Sequence, residues 1–309
     1  MNKSDKIYIP GHTGLLGSAV VRKLREQGYR NVLTMPHNNL DLISQDSVDS
    51  YFATHQPDYV IICAGKVGGI MANNTQRGDF IYKNTMMQFN ILHAAYTYNC
   101  KKVMAIGSSC IYPAYADQPI SEASLMTGEL EPTNEPYAIS KIAALKMCEA
   151  YRRQYDCNFI SAMPTNLYGN NDTYDLFKSH VLPSLIKRFH DAKINNDPSV
   201  TIWGTGTVRR EFLHADDCAE ALIFLMNNYD ESGHVNIGTG EDITIQELAV
   251  MIKGIVGYEG EILNDTSKPD GMKRKVLNIS KINALGWKAK IELDEGIKLT
   301  YHDYCTKHR

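Results

Sequence analysis

Residues 6–21 read KIYIPGHTGLLGSAVV, and the fold follows from how this stretch is divided. KIYIP is short, β-branched and aromatic, which predicts a strand. The run from Leu15 to Gly28 has helical spacing and ends on a glycine, a good helix stop. Between them lie Gly11, Gly14 and Gly17, spaced G-x-x-G-x-x-G. Glycine permits a tight turn and close backbone approach to a pyrophosphate, and a helix N-terminus offers unpaired N–H groups and partial positive charge. A glycine triplet alone is weak evidence. Strand, triplet, helix and a second strand in that order form the context a dinucleotide site requires. Gly11, His12, Thr13, Gly14, Leu15, Leu16 and Gly17 are therefore candidate cofactor contacts.

The alternation continues outward from that start. NVLTM reads as a strand, SQDSVDSYFATH as a helix capped by Ser44, DYVIICAG (58–65) as a buried strand, and residues 84–99 as a helix. KKVMAIGSS is a strand, 135–155 a long helix, and NFISAMPTN (158–166) another strand. Continuous apolar strands alternating with helices predict an α/β fold with a doubly wound parallel sheet of Rossmann type. Beyond Tyr168 the regularity degrades, which predicts a smaller C-terminal lobe. The expected division is 1–167 for the nucleotide and mainly 168–309 for the substrate, with segments near 210–240 returning to the first.

Composition narrows the function. The 309 residues are 43% hydrophobic and 22% charged, as in an ordinary soluble enzyme. A net charge of −3 gives no support for nucleic-acid binding, and no apolar run approaches a membrane span. The seven cysteines are scattered without a C-x-x-C, which argues against a disulfide framework or a structural metal. The opening MNKSDKIYIPG has no apolar signal region, so the expected location is a reducing cytoplasm.

After the second strand the chain reads LTMPHNNLDL. No acid directly follows the strand to bind the 2′-hydroxyl of NAD, and no arginine or lysine to bind the 2′-phosphate of NADP. His37 is the one candidate cation there. Asp41 comes later and is equally a solvated loop acid. The missing acid favours NADPH/NADP over NADH.

Tyr137 and Lys141 share a helix face in YAISK. An ammonium beside a phenol stabilises the phenolate, which predicts a lowered tyrosine pKa and proton exchange with a substrate oxygen. Ser108 ends the preceding strand, in GSSCIYP. Cys110, two residues on, is either ordinary packing or a group facing the ligand.

With GHTGLLG, Ser108 and Tyr137-x-x-x-Lys141 the chain resembles the extended short-chain dehydrogenase/reductase family. PTNLYG (164–169), REFLHADDCAEA (210–221) and NIGTGEDITIQELA (236–249) extend the resemblance over nearly the whole length. KVGGIMANNTQRGDFIYKN (66–84), GSSCIYP, LEPTNEPYAISKIA (130–143) and SKPDGMKRK (267–275) tighten it to that family's GDP-sugar epimerase-reductases. The implied task is to epimerise C3 and C5 of GDP-4-keto-6-deoxy-D-mannose and reduce C4 with NADPH, giving GDP-L-fucose. A C4 ketone acidifies the C3 and C5 protons. Ser108 and Tyr137 would hold the oxygen as an enolate and then as an alkoxide.

The resemblance assigns Cys110 and His180 to the carbon-bound protons. It places Asp41, Leu42, Lys141, Pro164, Asn166, Leu167 and His180 at the cofactor, and Arg188, Trp203, Arg210 and Asp270 at the substrate. Lys268 reads as a surface charge. Related 4,6-dehydratases carry Thr-Asp-Glu where this chain has Ser108-Ser109-Cys110, so a titratable group is kept at the Glu position. The family usually has arginines at the positions of Thr13 and His37, a departure that weakens the preference for NADPH. A homodimer through the helices at 84–99 and 135–155 is a family expectation. Other readings remain open: another nucleotide-sugar 4-epimerase or reductase, or a non-catalytic dinucleotide sensor, which would be expected to lack Tyr137 or Lys141.

Overall fold

The computed structural model describes residues 1–268 and 270–307; Pro269, inside the SKPDGMKRK block, and residues 308–309 lie outside them. The first half runs β1 (Lys6–Tyr8), α1 (Leu15–Glu26), β2 (Asn31–Leu33), α2 (Gln45–His55), β3 (Tyr59–Ile62), α3 (Ile70–Thr75), α4 (Arg77–Thr97), β4 (Lys102–Ile106), α5 (Glu135–Tyr155) and β5 (Phe159–Pro164). Ser44 caps α2, its hydroxyl accepting from the Ser47 N–H at 3.3 Å. Helix α4 begins seven residues before the expected Asn84, because Asp79 suits its first turn and the polar Asn84 points inward.

The strands form one six-stranded parallel sheet in the order β2-β1-β3-β4-β5-β10, where β10 is a late strand, His234–Ile237. Every residue of β4 and β5 is buried, as expected for a sheet covered on both faces. One face packs Ala19, Val20 and Leu24 of α1 against the later helix α7 (Ala215–Asn228). The other packs Phe52 of α2, Ile91 and Leu92 of α4, and Ala144 of α5. Strand order reverses between β1 and β3, which opens a crevice at the carboxyl ends of those strands.

The remaining chain contributes β6 (Asn166–Tyr168), α6 (Val181–Asn195), β7 (Ser199–Trp203), β8 (Arg209–Arg210), β9 (Phe212–His214), β11 (Ile243–Thr244), α8 (Ile245–Val256), β12 (Glu261–Asp265), β13 (Arg274–Lys275), α9 (Ser280–Leu285) and α10 (Leu293–Lys307). A separate core of Leu182, Ile186, Phe189, Leu248, Ile252 and Ile297 joins α6, α8 and α10. A small sheet, β11-β8-β13, lies beside it. The fully buried Glu211 joins the two regions. One of its oxygens accepts from the Thr239 and Gly240 N–H groups at 2.7 and 2.8 Å, the other from Leu277 at 2.8 Å. Burial raises its pKa against the opposing pull of these bonds. No described helix is long and apolar enough to cross a membrane.

Candidate active site

The three glycines of the first loop have different physical reasons. Gly11 has φ +83°, and a Cβ there would lie 2.5 Å from the Ala64 nitrogen at the end of β3. A Cβ on Gly17 would run into the Gly11 carbonyl oxygen. Both are therefore required by the chain's own packing. Gly14 is not: the nearest atom to its Cβ position is the Gly11 oxygen at 3.6 Å. It precedes α1, whose first turn has neither a side-chain cap nor an acid. The middle glycine thus leaves open space before uncapped N–H groups, a cradle that fits a dinucleotide pyrophosphate.

Around this loop, Thr13 is exposed, while Leu15 and Leu16 pack partly against the core. His12 is half-buried, and burial, then Arg25, lowers its pKa. His37 is exposed beyond β2. The Asp41 carboxylate closes its own turn, accepting from the Ile43 N–H at 3.0 Å. Leu42 is buried, with Asn90 Nδ2 donating to its carbonyl at 3.0 Å. Asp41 and Leu42 thus also serve the fold, while His37 makes no side-chain hydrogen bond among the described residues.

Next along the crevice, α5 carries Tyr137 and Lys141 to the end of β4. Lys141 is buried, and its Nζ donates to the Ile106 carbonyl at 2.8 Å. A Cβ on Gly65, just past β3, would sit 3.7 Å from that Nζ. Burial pushes the Lys141 pKa down to about 8, with Cys63 opposing. The Tyr137 phenol hydrogen-bonds with Ser108, and its ring meets Phe80 edge-on at 6.2 Å. Its pKa lies above the ordinary 10, raised by burial and then by Cys110, while the Ser108 bond pulls it down.

The expected lowering of the phenol pKa is therefore not found in this state. Lys141 Nζ is 5.8 Å from the ring centre and is anchored on Ile106, so burial dominates. The phenol is held neutral, the form that can donate a proton.

Ser108 also sets the next turn. It caps the 3₁₀ turn Ser109–Ile111, its hydroxyl accepting from the Cys110 N–H at 3.3 Å. That turn brings Cys110 toward Tyr137 on one side and Arg210 on the other. Lys275 Nζ donates to Cys110 Sγ at 3.8 Å. Cys110 is half-buried and stands among these polar groups, unlike the fully buried Cys218.

The substrate candidates follow the same edge. Arg210 donates to the Met272 carbonyl at 2.7 Å, and burial lowers its pKa. Arg188 donates to the Thr201 carbonyl, and burial lowers its pKa as well. Trp203, 56% exposed at the end of β7, has Lys268 Nζ 5.9 Å from its ring. Asp270 accepts from the Thr205 N–H at 2.7 Å and so lies beside Trp203. Pro164 ends β5, Asn166 Nδ2 donates to the Glu211 carbonyl at 2.8 Å, and Leu167 packs against the core.

His180 is placed by different contacts. It precedes α6 at the exposed rim, where the Gly69 N–H donates to the Lys178 carbonyl at 2.9 Å. Protein packed around the ring holds its pKa below 6.5 although the residue reaches solvent. Among the described residues no hydrogen bond or ion pair joins His180 to Cys110.

Three residues of this arrangement escape the sequence reading. Asn84 grips the backbone after β3, accepting from the Lys66 N–H at 2.8 Å and donating to its carbonyl at 3.0 Å. Glu211 pins the loops behind Arg210. Lys275 reaches Cys110. Lys275 had a readable signal, since Arg209-Arg210 and Arg274-Lys275 are matching basic pairs, but only the sheet reveals that they are neighbours.

Residues 7–238 match the family model described as the NAD dependent epimerase/dehydratase family. The chain belongs to that family. Among members, GDP-L-fucose synthase 1 of Arabidopsis thaliana is 52% identical, covering 98% of this chain and 94% of that protein. GDP-L-fucose synthase of Escherichia coli is 47% identical, covering 96% and 95%. Of solved family structures, a GDP-D-glycero-L-gluco-heptose synthase from Campylobacter jejuni, in the presence of NADPH, is 39% identical with a TM-score of 0.93 over 99% of both chains. A GDP-L-fucose synthetase from Naegleria fowleri bound to NADP is 27% identical with a TM-score of 0.93, covering 100% and 96%.

Proposed function

We propose that this chain makes GDP-L-fucose, inverting C3 and C5 of GDP-4-keto-6-deoxy-D-mannose and then reducing C4. The observation that carries the reading is one shared polar cluster: the Tyr137 phenol hydrogen-bonds with Ser108, and Cys110, in the turn that Ser108 caps, acts electrostatically on the same phenol. NADPH, bound at the glycine loop and held by Lys141, supplies the hydride. Ser108 and the neutral Tyr137 hold the ketone oxygen and stabilise negative charge there in both halves of the reaction. Cys110 and His180 divide the removal and return of carbon-bound protons on opposite faces. Tyr137 gives its proton to the C4 oxygen during reduction, and Lys141 keeps that end of the site positively charged. Arg188 and Arg210 take the diphosphate, Trp203 stacks on the sugar nucleotide, and Asp270 accepts from a hydroxyl.

Residues 1–167 with the returning 210–240 segment serve the cofactor, and the rest of 168–309 mainly serves the sugar nucleotide. The separate cores support this division. Homodimer formation through α4 and α5 is supported by apolar groups these helices expose, Tyr82, Ile139 and Tyr155. A cytoplasmic setting suits the seven free thiols. The test is to incubate the protein with NADPH and GDP-4-keto-6-deoxy-D-mannose and identify the sugar by NMR. GDP-L-fucose is expected; a product with unaltered C3 or C5 would reduce the protein to a plain reductase.

A further inference from the structure

Lys275 is 9% exposed, a depth at which lysine ordinarily has a counter-charge. It has none: among the described residues no carboxylate lies within ion-pair distance of it, and its one side-chain hydrogen bond goes to Cys110 Sγ at 3.8 Å. Its position is imposed by the sheet. β13 runs parallel to β8 with Lys275 level with Arg210, so the two cations stand side by side next to the sulphur. Among the described residues the titratable groups that act on Cys110 are Tyr137, Arg210 and Lys275, and none is a carboxylate. An ammonium beside a cysteine stabilises the thiolate, the form that takes a proton.

Resting on the assignment of Cys110 to the carbon-bound protons, we propose that Lys275 is the positioning residue for that step, orienting the sulphur and balancing its charge. When sulphur takes a proton, the C–H bond breaks and an S–H bond forms. The electron pair moves into the enolate held by Ser108 and Tyr137. The reverse transfer restores the carbon–hydrogen bond and the sulphur anion. Neither transfer uses a proton of Lys275, whose part is to orient the sulphur and balance its charge.

The test uses NADP in its oxidised form, so that reduction does not occur, and reads deuterium incorporation at C3 and C5 by NMR in heavy water. At saturating keto-sugar, Lys275→Met should incorporate deuterium about 10- to 100-fold more slowly at the position Cys110 serves. Lys275→Arg, which keeps the charge, should recover to within about threefold of the parent on the same scale. Without any sugar, iodoacetamide should label the Cys110 peptide several-fold more slowly in Lys275→Met, a readout that substrate binding cannot move. If Lys275→Met exchanges at the parent rate once saturated and shows only a raised KM, Lys275 serves the diphosphate and the proposal is wrong. Cys110→Ser separates the two claims. Parent-like exchange in Cys110→Ser removes the cysteine from the chemistry, and Lys275 with it. Slow exchange in Cys110→Ser beside normal exchange and labelling in Lys275→Met overturns only the role of Lys275. Should Lys275→Met also lose NADPH binding, the same readouts on Lys275→Gln decide.

Discussion

The small sheet β11-β8-β13 presents two basic residue pairs in two opposite situations. On one face Arg209 and Arg274 both grip Asp242, whose side chain is 4% exposed. On the other, Arg210 and Lys275 have no carboxylate among the described residues and stand beside Cys110. Neighbouring residues on a strand point to opposite faces, so adjacent positions in sequence acquire unrelated jobs. The neutralised pair holds the sheet together. The unneutralised pair is costly to desolvate, as the lowered Arg210 pKa records, and an anionic ligand offsets that cost. In this lobe the charges completed by protein hold the sheet together, and the pair left without a carboxylate is the one the proposed function assigns to the site.

The largest effect is expected where the uncompleted face meets the chemistry. Tyr137→Phe removes the proton donor beside those cations and leaves every charge in place. Hydride transfer, followed by NADPH absorbance, should slow by about 10²–10⁴ while NADPH affinity holds. Parent-like reduction would take Tyr137 out of the reaction.

Breaking the open face itself should cost less. Arg210→Met removes a charge-assisted contact worth about 1.5–3 kcal/mol, so KM for the GDP-sugar should rise about 10- to 100-fold. The melting temperature should fall only a little, since the Met272 carbonyl loses a donor but no protein counter-ion is orphaned. An unchanged KM with a large loss of stability would reverse the reading of this face.

The completed face should respond the other way. Asp242→Asn should lower stability by about 1 kcal/mol, because both arginines are substantially exposed and screened. Steady-state kinetics of the folded protein should stay close to the parent. Burial raises the Asp242 pKa, but the hydrogen bonds from Arg274 and Arg209 outweigh it and hold the value below the ordinary 3.8. A depressed carboxylate pKa gives stability that is complete above the unfolded value and lost as pH falls through the folded one. The gap between Asp242→Asn and the parent should therefore be full at neutral pH and close below about pH 3.8 in acid-unfolding curves. A gap that persists in strong acid would mean that the ion pairs are not its source.

The smallest effect comes from placing an uncompleted cation where the chain lacks one. His37 is exposed at the edge of the cofactor crevice. His37→Arg should raise the NADPH-to-NADH preference several-fold, since guanidinium pairs well with a phosphate. A ratio that does not move, measured as kcat/KM with each cofactor, would place the 2′-phosphate away from residue 37.

Much of the fold could be read from local pattern. The apolar strands, the alternating helices, the Ser44 cap and the glycine turn all rest on interactions among neighbours in sequence. Helix α5, predicted at 135–155, spans Glu135–Tyr155. The start of α4 was less legible, because Asn84 looks like a helix opener and is instead a buried mid-helix clamp on Lys66. Residues such as Ser108, Cys110, Tyr137 and Arg210 stood out through motif and resemblance. Lys275 and Glu211 did not, since each acts only across contacts with residues 28 or more positions away.

By itself, then, the sequence determined the parallel α/β architecture, the glycine cradle, and the Tyr137 and Lys141 helix face. Those follow from side-chain periodicity and from what glycine permits. Tertiary structure alone decided the protonation behaviour and the pairing. Burial outweighs Lys141 at the Tyr137 phenol, and strand register sends Arg209 and Arg274 to Asp242 but Arg210 and Lys275 to Cys110. Desolvation and distance between remote residues set those outcomes, and neither is a property of any local stretch of chain.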